Sequence, residues 1–156
     1  MTTLAQDTPV KRRDAKTFFE ILTKDNMYLV DDFYAEDVHF QDPVVEFHNR
    51  EDMKHYYQSS YDAVQAISFE IPQVVEDGDH QVILWKMNMT AKKLNKGEPI
   101  IVDGISYIRY NKEGLAVYHR DYFDMGAMMY RNVPVVRWFV DKVDKKMREY
   151  HDPTHH

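Results

Sequence analysis

The chain has 156 residues, 44% of them apolar and 13% aromatic, which suits one domain with one core and a ring-rich interior or pocket. It has no cysteine, which excludes disulfides, thiolate metal sites and cysteine nucleophiles. The net charge of −6, with no groove of Lys and Arg along the strands, argues against nucleic acid as a partner.

Residues 1–13 read as a flexible arm, polar and aperiodic. No apolar run follows Lys11, Arg12 and Arg13, so the start is not a secretory signal. No stretch approaches the about 18 apolar residues of a membrane span, so a cytoplasmic protein is expected.

From Asp14 the spacing of Ala15, Phe18, Phe19, Ile21 and Leu22 predicts a helix over 14–24. Met27, Leu29, Val30, Phe33 and Tyr34 predict a second over 26–34. Residues 38–43 form a short strand closed by Pro43. Asn49 then offers an N-cap, with Glu51 and Asp52 in the first turn of a helix over 50–64.

Beyond that point the period changes to two. Strands are predicted over 67–76, 80–93, 100–111 and 115–124, joined by Asp77-Gly78-Asp79, Asn95-Lys96-Gly97-Glu98 and Asn111-Lys112-Glu113-Gly114, which is hairpin chemistry. Helices followed by consecutive hairpins imply an α+β plan, with N-terminal helices packed into one curved antiparallel sheet so that the two enclose a cone. Residues 125–132 and 134–150 read as a helical extension. Its longer part is basic and amphipathic, with Val135, Phe139, Val143 and Met147 stepping by four. The last residues, 151–156, read as a mobile tail. The domain proper is thus 14–124.

This order of elements, with an Asp-Pro closing the first strand, resembles the nuclear transport factor 2-like superfamily and its SnoaL-like branch over roughly Asp14 to Asp124. The stretch Phe33 to Pro43 is similar to the ketosteroid isomerase segment in which the Asp before the Pro is the catalytic base, here Asp42. Arg120-Asp121-Tyr122-Phe123-Asp124 is similar to limonene epoxide hydrolase, whose first Asp in that stretch belongs to the catalytic triad. The resemblance implies a pocket for an apolar small molecule. It also shows losses. The isomerase's oxyanion Tyr and Asp correspond to Phe18 and Ser106, and the hydrolase's Arg and second Asp correspond to Met87 and Met89.

Three residues stand out for proton chemistry. Asp42 precedes Pro43 at a strand end, where an Asp also commonly starts a turn. His119 and Asp121 are two apart on one strand, so they share a face, and an inward acid in an apolar cone is costly unless used. Phe18, Phe40, Trp85, Met87, Met89, Ser106, Tyr107 and Phe123 are the expected walls, although rings and Met at such spacing also build plain core. His48 and His55 have no acid at ligand spacing between them, and His151, His155 and His156 are terminal. Neither a metal nor another cofactor is expected.

Three functions remain open: a general acid/base enzyme on an apolar small molecule, a non-catalytic ligand-binding module, and an interaction domain whose outer sheet face makes a homodimer.

Overall fold

The computed structural model describes residues 12–150; the rest of the expected arm and the tail lie outside the described residues. Among the described residues, five α-helices, two short 3-10 turns (Asn95–Gly97 and Tyr130–Asn132) and one six-stranded sheet make up the fold. The α-helices and strands are α1 (Ala15–Ile21), α2 (Leu29–Phe33), β1 (Tyr34–Gln41), β2 (Glu46–Phe47), α3 (Arg50–Asp62), β3 (Ala66–Asp77), β4 (His80–Thr90), β5 (Ile100–Tyr110), β6 (Ala116–Phe123), α4 (Met125–Met128) and α5 (Pro134–Glu149).

Asp14 caps α1 by accepting from the Thr17 N–H at 3.1 Å. The second helix starts three residues later than its periodicity suggests, because Asn26 is occupied elsewhere. Its side chain accepts from the Thr23 N–H at 2.6 Å and donates to the Ile21 carbonyl at 2.8 Å, which fixes a turn ahead of the helix. Tyr34 then turns extended (φ −105°, ψ 145°) and opens β1, so the ring that reads as a helix end sits in a strand. In α3, Asn49 accepts from the Asp52 N–H at 2.8 Å, and Met53, Tyr57 and Tyr61 form one buried stripe at intervals of four.

The sheet order is β2-β1-β6-β5-β4-β3. From β3 to β6 the strands form the expected antiparallel meander, with Gly78 (φ 57°) and Gly114 (φ 84°) supplying left-handed turn positions. The sheet is mixed, because β1 joins β6 in parallel, with Phe40 opposite His119 and a register shift between Tyr34 and His39. At the far edge, Pro72 sits within the register shift of β3 between Glu70 and Gln73, where a missing N–H is tolerated.

Alternation puts Gln81, Ile83, Trp85, Met87 and Met89 of β4 inward, against Phe18, Phe19, Phe33 and the α3 stripe. Arg12 pairs with Glu76 at 2.6 Å and the Arg13 N–H bonds the Gly114 carbonyl at 3.1 Å, tying the chain to the sheet just ahead of α1. At the other end α5 buries none of its residues. Arg131 holds it in place, meeting Asp144 at 2.6 Å and Asp124 at 3.2 Å.

Candidate functional site

The two-residue spacing of His119 and Asp121 places both on the inner face of β6. Strand register brings their neighbours, since Ser106 lies opposite Asp121 and Phe40 opposite His119. His119 is fully buried. The edges of Phe19 and Phe40 meet its ring at centroid distances of 5.7 and 5.1 Å, and Tyr34 stacks at 11° between planes.

Both ring nitrogens of this histidine are used. Nδ1 is 2.7 Å from the Tyr34 hydroxyl and Nε2 is 2.6 Å from Asp121 Oδ1. The same oxygen accepts from the Ser106 hydroxyl, which in turn accepts from the Trp85 indole N–H at 2.9 Å. Trp85 reaches Ser106 across Gly104, its register partner, over which its ring lies so closely that an added Cβ would sit 2.2 Å from it.

Donor chemistry orders this chain. An indole N–H only donates and a carboxylate only accepts, so Ser106 gives its proton to Asp121 and Nε2 of His119 carries one. Burial pushes the Tyr34 and Tyr57 phenols well above the usual tyrosine range, so both keep their protons. Tyr57, at 3.4 Å, donates to Tyr34, and Tyr34 donates to Nδ1. A neutral imidazole held this way is the Nε2–H tautomer. Two runs of donors, Tyr57–Tyr34–His119 and Trp85–Ser106, converge on one carboxylate oxygen. Among the described residues no hydrogen bond goes to Oδ2, and no buried side-chain oxygen lacks a partner, so Oδ2 reaches solvent.

Asp42 has a different setting. Its Oδ1 accepts from the N–H groups of Val44 and Val45 at 2.7 and 2.8 Å, closing the turn between β1 and β2. Its Oδ2 accepts from the Tyr56 hydroxyl at 2.6 Å. Burial, and then this bond, push the Tyr56 phenol far up, with the charge of Asp121 adding to the effect. Half-buried Tyr56 thus stands within electrostatic reach of both acids.

Of the expected walls, Phe18, Phe40, Trp85, Met87, Met89 and Ser106 are buried on the inner side and Phe123 is partly buried beside Trp85. Tyr107 is a correction. Alternation along β5 turns it away from Ser106, toward the outer face, where its hydroxyl meets His80 Nδ1 and its ring meets Tyr118. Tyr34 and Tyr57 are the site residues that sequence reading missed. The available signal was chemical, since a phenol within an apolar run needs a polar partner once buried.

Two surface depressions lie elsewhere, one lined by Glu51, Lys54, His55 and Gln58, the other by Arg12, Lys16, Glu76 and Gln81 among others. A possible metal-ligating group, His39, Glu46 and His48, lies on the β1–β2 hairpin. Among the described residues no helix is long and apolar enough to cross a membrane.

A curved sheet with helices laid into it and polar side chains gathered on its inner face defines a nuclear transport factor 2-like cone. The SnoaL-like domain model matches residues 15–119, and the chain belongs to that family. Solved structures agree on the fold. A nuclear transport factor 2-like protein of unknown function from Burkholderia pseudomallei has a TM-score of 0.62 at 18% identity, covering 70% of this chain and 87% of that one. A proposed SnoaL-like polyketide cyclase from Jannaschia gives 0.61 at 11% identity, with 68% and 77% covered. A hypothetical protein with a ketosteroid isomerase-like fold from Catenulispora acidiphila, solved in complex with trimethylamine, gives 0.63 at 15% identity, with 76% and 87% covered. No curated protein matches the sequence.

Proposed function

We propose that this SnoaL-like protein is a general acid/base enzyme acting on an apolar small molecule, with Asp121 as the group that exchanges the proton. The observation that carries this reading is the asymmetry of the Asp121 carboxylate. One oxygen is held by His119 and Ser106 while the other takes no hydrogen bond among the described residues. A carboxylate anchored through one oxygen presents the other in a fixed direction, which proton transfer requires. His119, Ser106 and Tyr34 are then positioning residues. Both oxygens of Asp42 are taken up by its turn and by Tyr56, which supports a role in setting Tyr56 rather than in taking a proton. Phe18, at the isomerase's oxyanion Tyr position, is stacked on Phe33 at 4.3 Å, so dienol isomerisation through that pair of donors is disfavoured.

A second reading is favoured by the make-up of the inner face. Met87 and Met89, buried on the inner face, stand where the epoxide hydrolase pattern has its Arg and second Asp, and this loss of charge suits a module that binds an apolar ligand without transforming it. Turnover of a panel of terpenoid, steroid-like and polyketide ketones by the native protein and by Asp121→Asn separates the two. The enzyme reading expects a fall of about 10²- to 10⁴-fold with little change in affinity. Saturable quenching of Trp fluorescence with no turnover by either protein would sink it.

The homodimer is also proposed, through the outer face of the sheet. Ile105 and Tyr122 are register partners there, both exposed, with Ile101 alongside and Arg120 lying 4.8 Å over the Tyr122 ring. A single monomer boundary in sedimentation at micromolar concentration would remove this proposal.

A further inference from the structure

Along the chain the histidine nearest to His48 is His55, seven residues on. The fold gives it different neighbours. The β1–β2 register runs Phe40 to Phe47 and Gln41 to Glu46, and its continuation sets His48 against His39. Phe40 and Phe47 point inward, so His39, Glu46 and His48 share the outer side of the hairpin. The two imidazoles lie 4.5 Å apart, with 24° between their planes. His39 Nε2 is 2.6 Å and His48 Nε2 is 3.7 Å from the same oxygen, Glu46 Oε1. One ligand atom from each residue falls within 4.8 Å of the other two.

We infer that His39, Glu46 and His48 form a binding site for a divalent transition-metal ion. Two imidazole nitrogens and a carboxylate oxygen are a ligand set for zinc and its neighbours, and a fourth position is left to water. Ligand distances of about 2.0 Å from a central ion need the three atoms roughly 3.3 Å apart, so the move from the present arrangement is a small tilt of exposed rings. The scaffold is already fixed. Asp42 closes the turn through Val44 and Val45, and the Tyr118 ring meets that of His39 nearly at right angles, with 5.2 Å between centroids. A bound ion would clasp β2 to β1 at the rim of the cone, on the strand that carries Phe40 and Tyr34 to His119. The fold would then gain stability with the logarithm of the free ion concentration above the dissociation constant.

The test is titration of zinc chloride into the full chain by calorimetry, in a background where His151, His155 and His156 are changed to Ala so that the terminal histidines cannot bind. One zinc per chain is expected, together with a rise in melting temperature. Affinity should fall about tenfold or more in each of His39→Ala, Glu46→Gln and His48→Ala. These side chains are partly or well exposed, and unchanged far-ultraviolet dichroism would show that the variants fold. No heat of binding in the parent, or binding by His39→Ala and His48→Ala as tight as the parent's, would overturn the assignment.

Discussion

The Tyr34 hydroxyl lies 2.7 Å from Nδ1 of His119, joining the first strand to the last across 85 positions of sequence. This contact sets the tautomer of a fully buried ring, and through it the direction of the Asp121 carboxylate. Burial first, with the charge of Asp121 adding to it, raises the phenol of Tyr34. A phenolate there would be desolvated and would face the charge of Asp121.

Tyr34→Phe keeps the stack and removes the donor. Nδ1 is then left buried without a partner, at a cost of about 1–3 kcal/mol. Urea denaturation should show a lower midpoint with an unchanged slope. An equal midpoint would mean that the ring turns to another partner.

Gly104→Ala tests the other arm of the network. The new methyl would meet the Trp85 ring at 2.2 to 2.7 Å, inside any tolerable contact. The indole must shift off Ser106, at about 1–3 kcal/mol for overpacking. A red-shifted and weaker Trp85 emission is expected. Trp138, exposed on α5, adds a background best removed by Trp138→Phe.

Asp14 gives the acid-side behaviour. Its hydrogen bonds to Thr17, side chain first and then backbone, hold its carboxyl below the usual range. Because the folded-state value is depressed, the stabilisation is fully present above the unfolded value of about 3.9 and is lost as pH falls through the folded one. Asp14→Ala should cost about 1 kcal/mol at neutral pH, with the difference from the native protein shrinking below pH of about 4. Melting temperatures across that range would show it, and Asp14→Asn should keep the cap without the pH dependence.

The meander was legible because its periodicity is local. Strands β4, β5 and β6 fall within a few residues of their expected ends, and the Asn49 cap lies at the position that its side chain dictates. The parallel seam between β1 and β6 was not, because no local pattern records which strands meet after a long excursion. The same division holds at the site. Alternation alone pairs His119 with Asp121, and the hairpin register brings Ser106 to them. Tyr34 comes from the far end of the chain, and its place in a helical apolar run conceals the strand. Tyr107 was misplaced by overlooking the rule that put Ser106 inside, since adjacent strand residues face opposite ways.

The seam also decides when Tyr34 reaches His119. Hairpins between neighbouring strands close short loops, whereas β1 can meet β6 only after most of the chain has been gathered, at a larger entropic cost. Ser106 and His119 meet Asp121 within the β5–β6 hairpin, whereas the Tyr34 contact with His119 forms only with the seam and goes when the seam opens. Amide hydrogen exchange should find β1 releasing before the meander does. The Tyr34–His119 contact would then be lost under mild denaturant while most of the sheet was still intact.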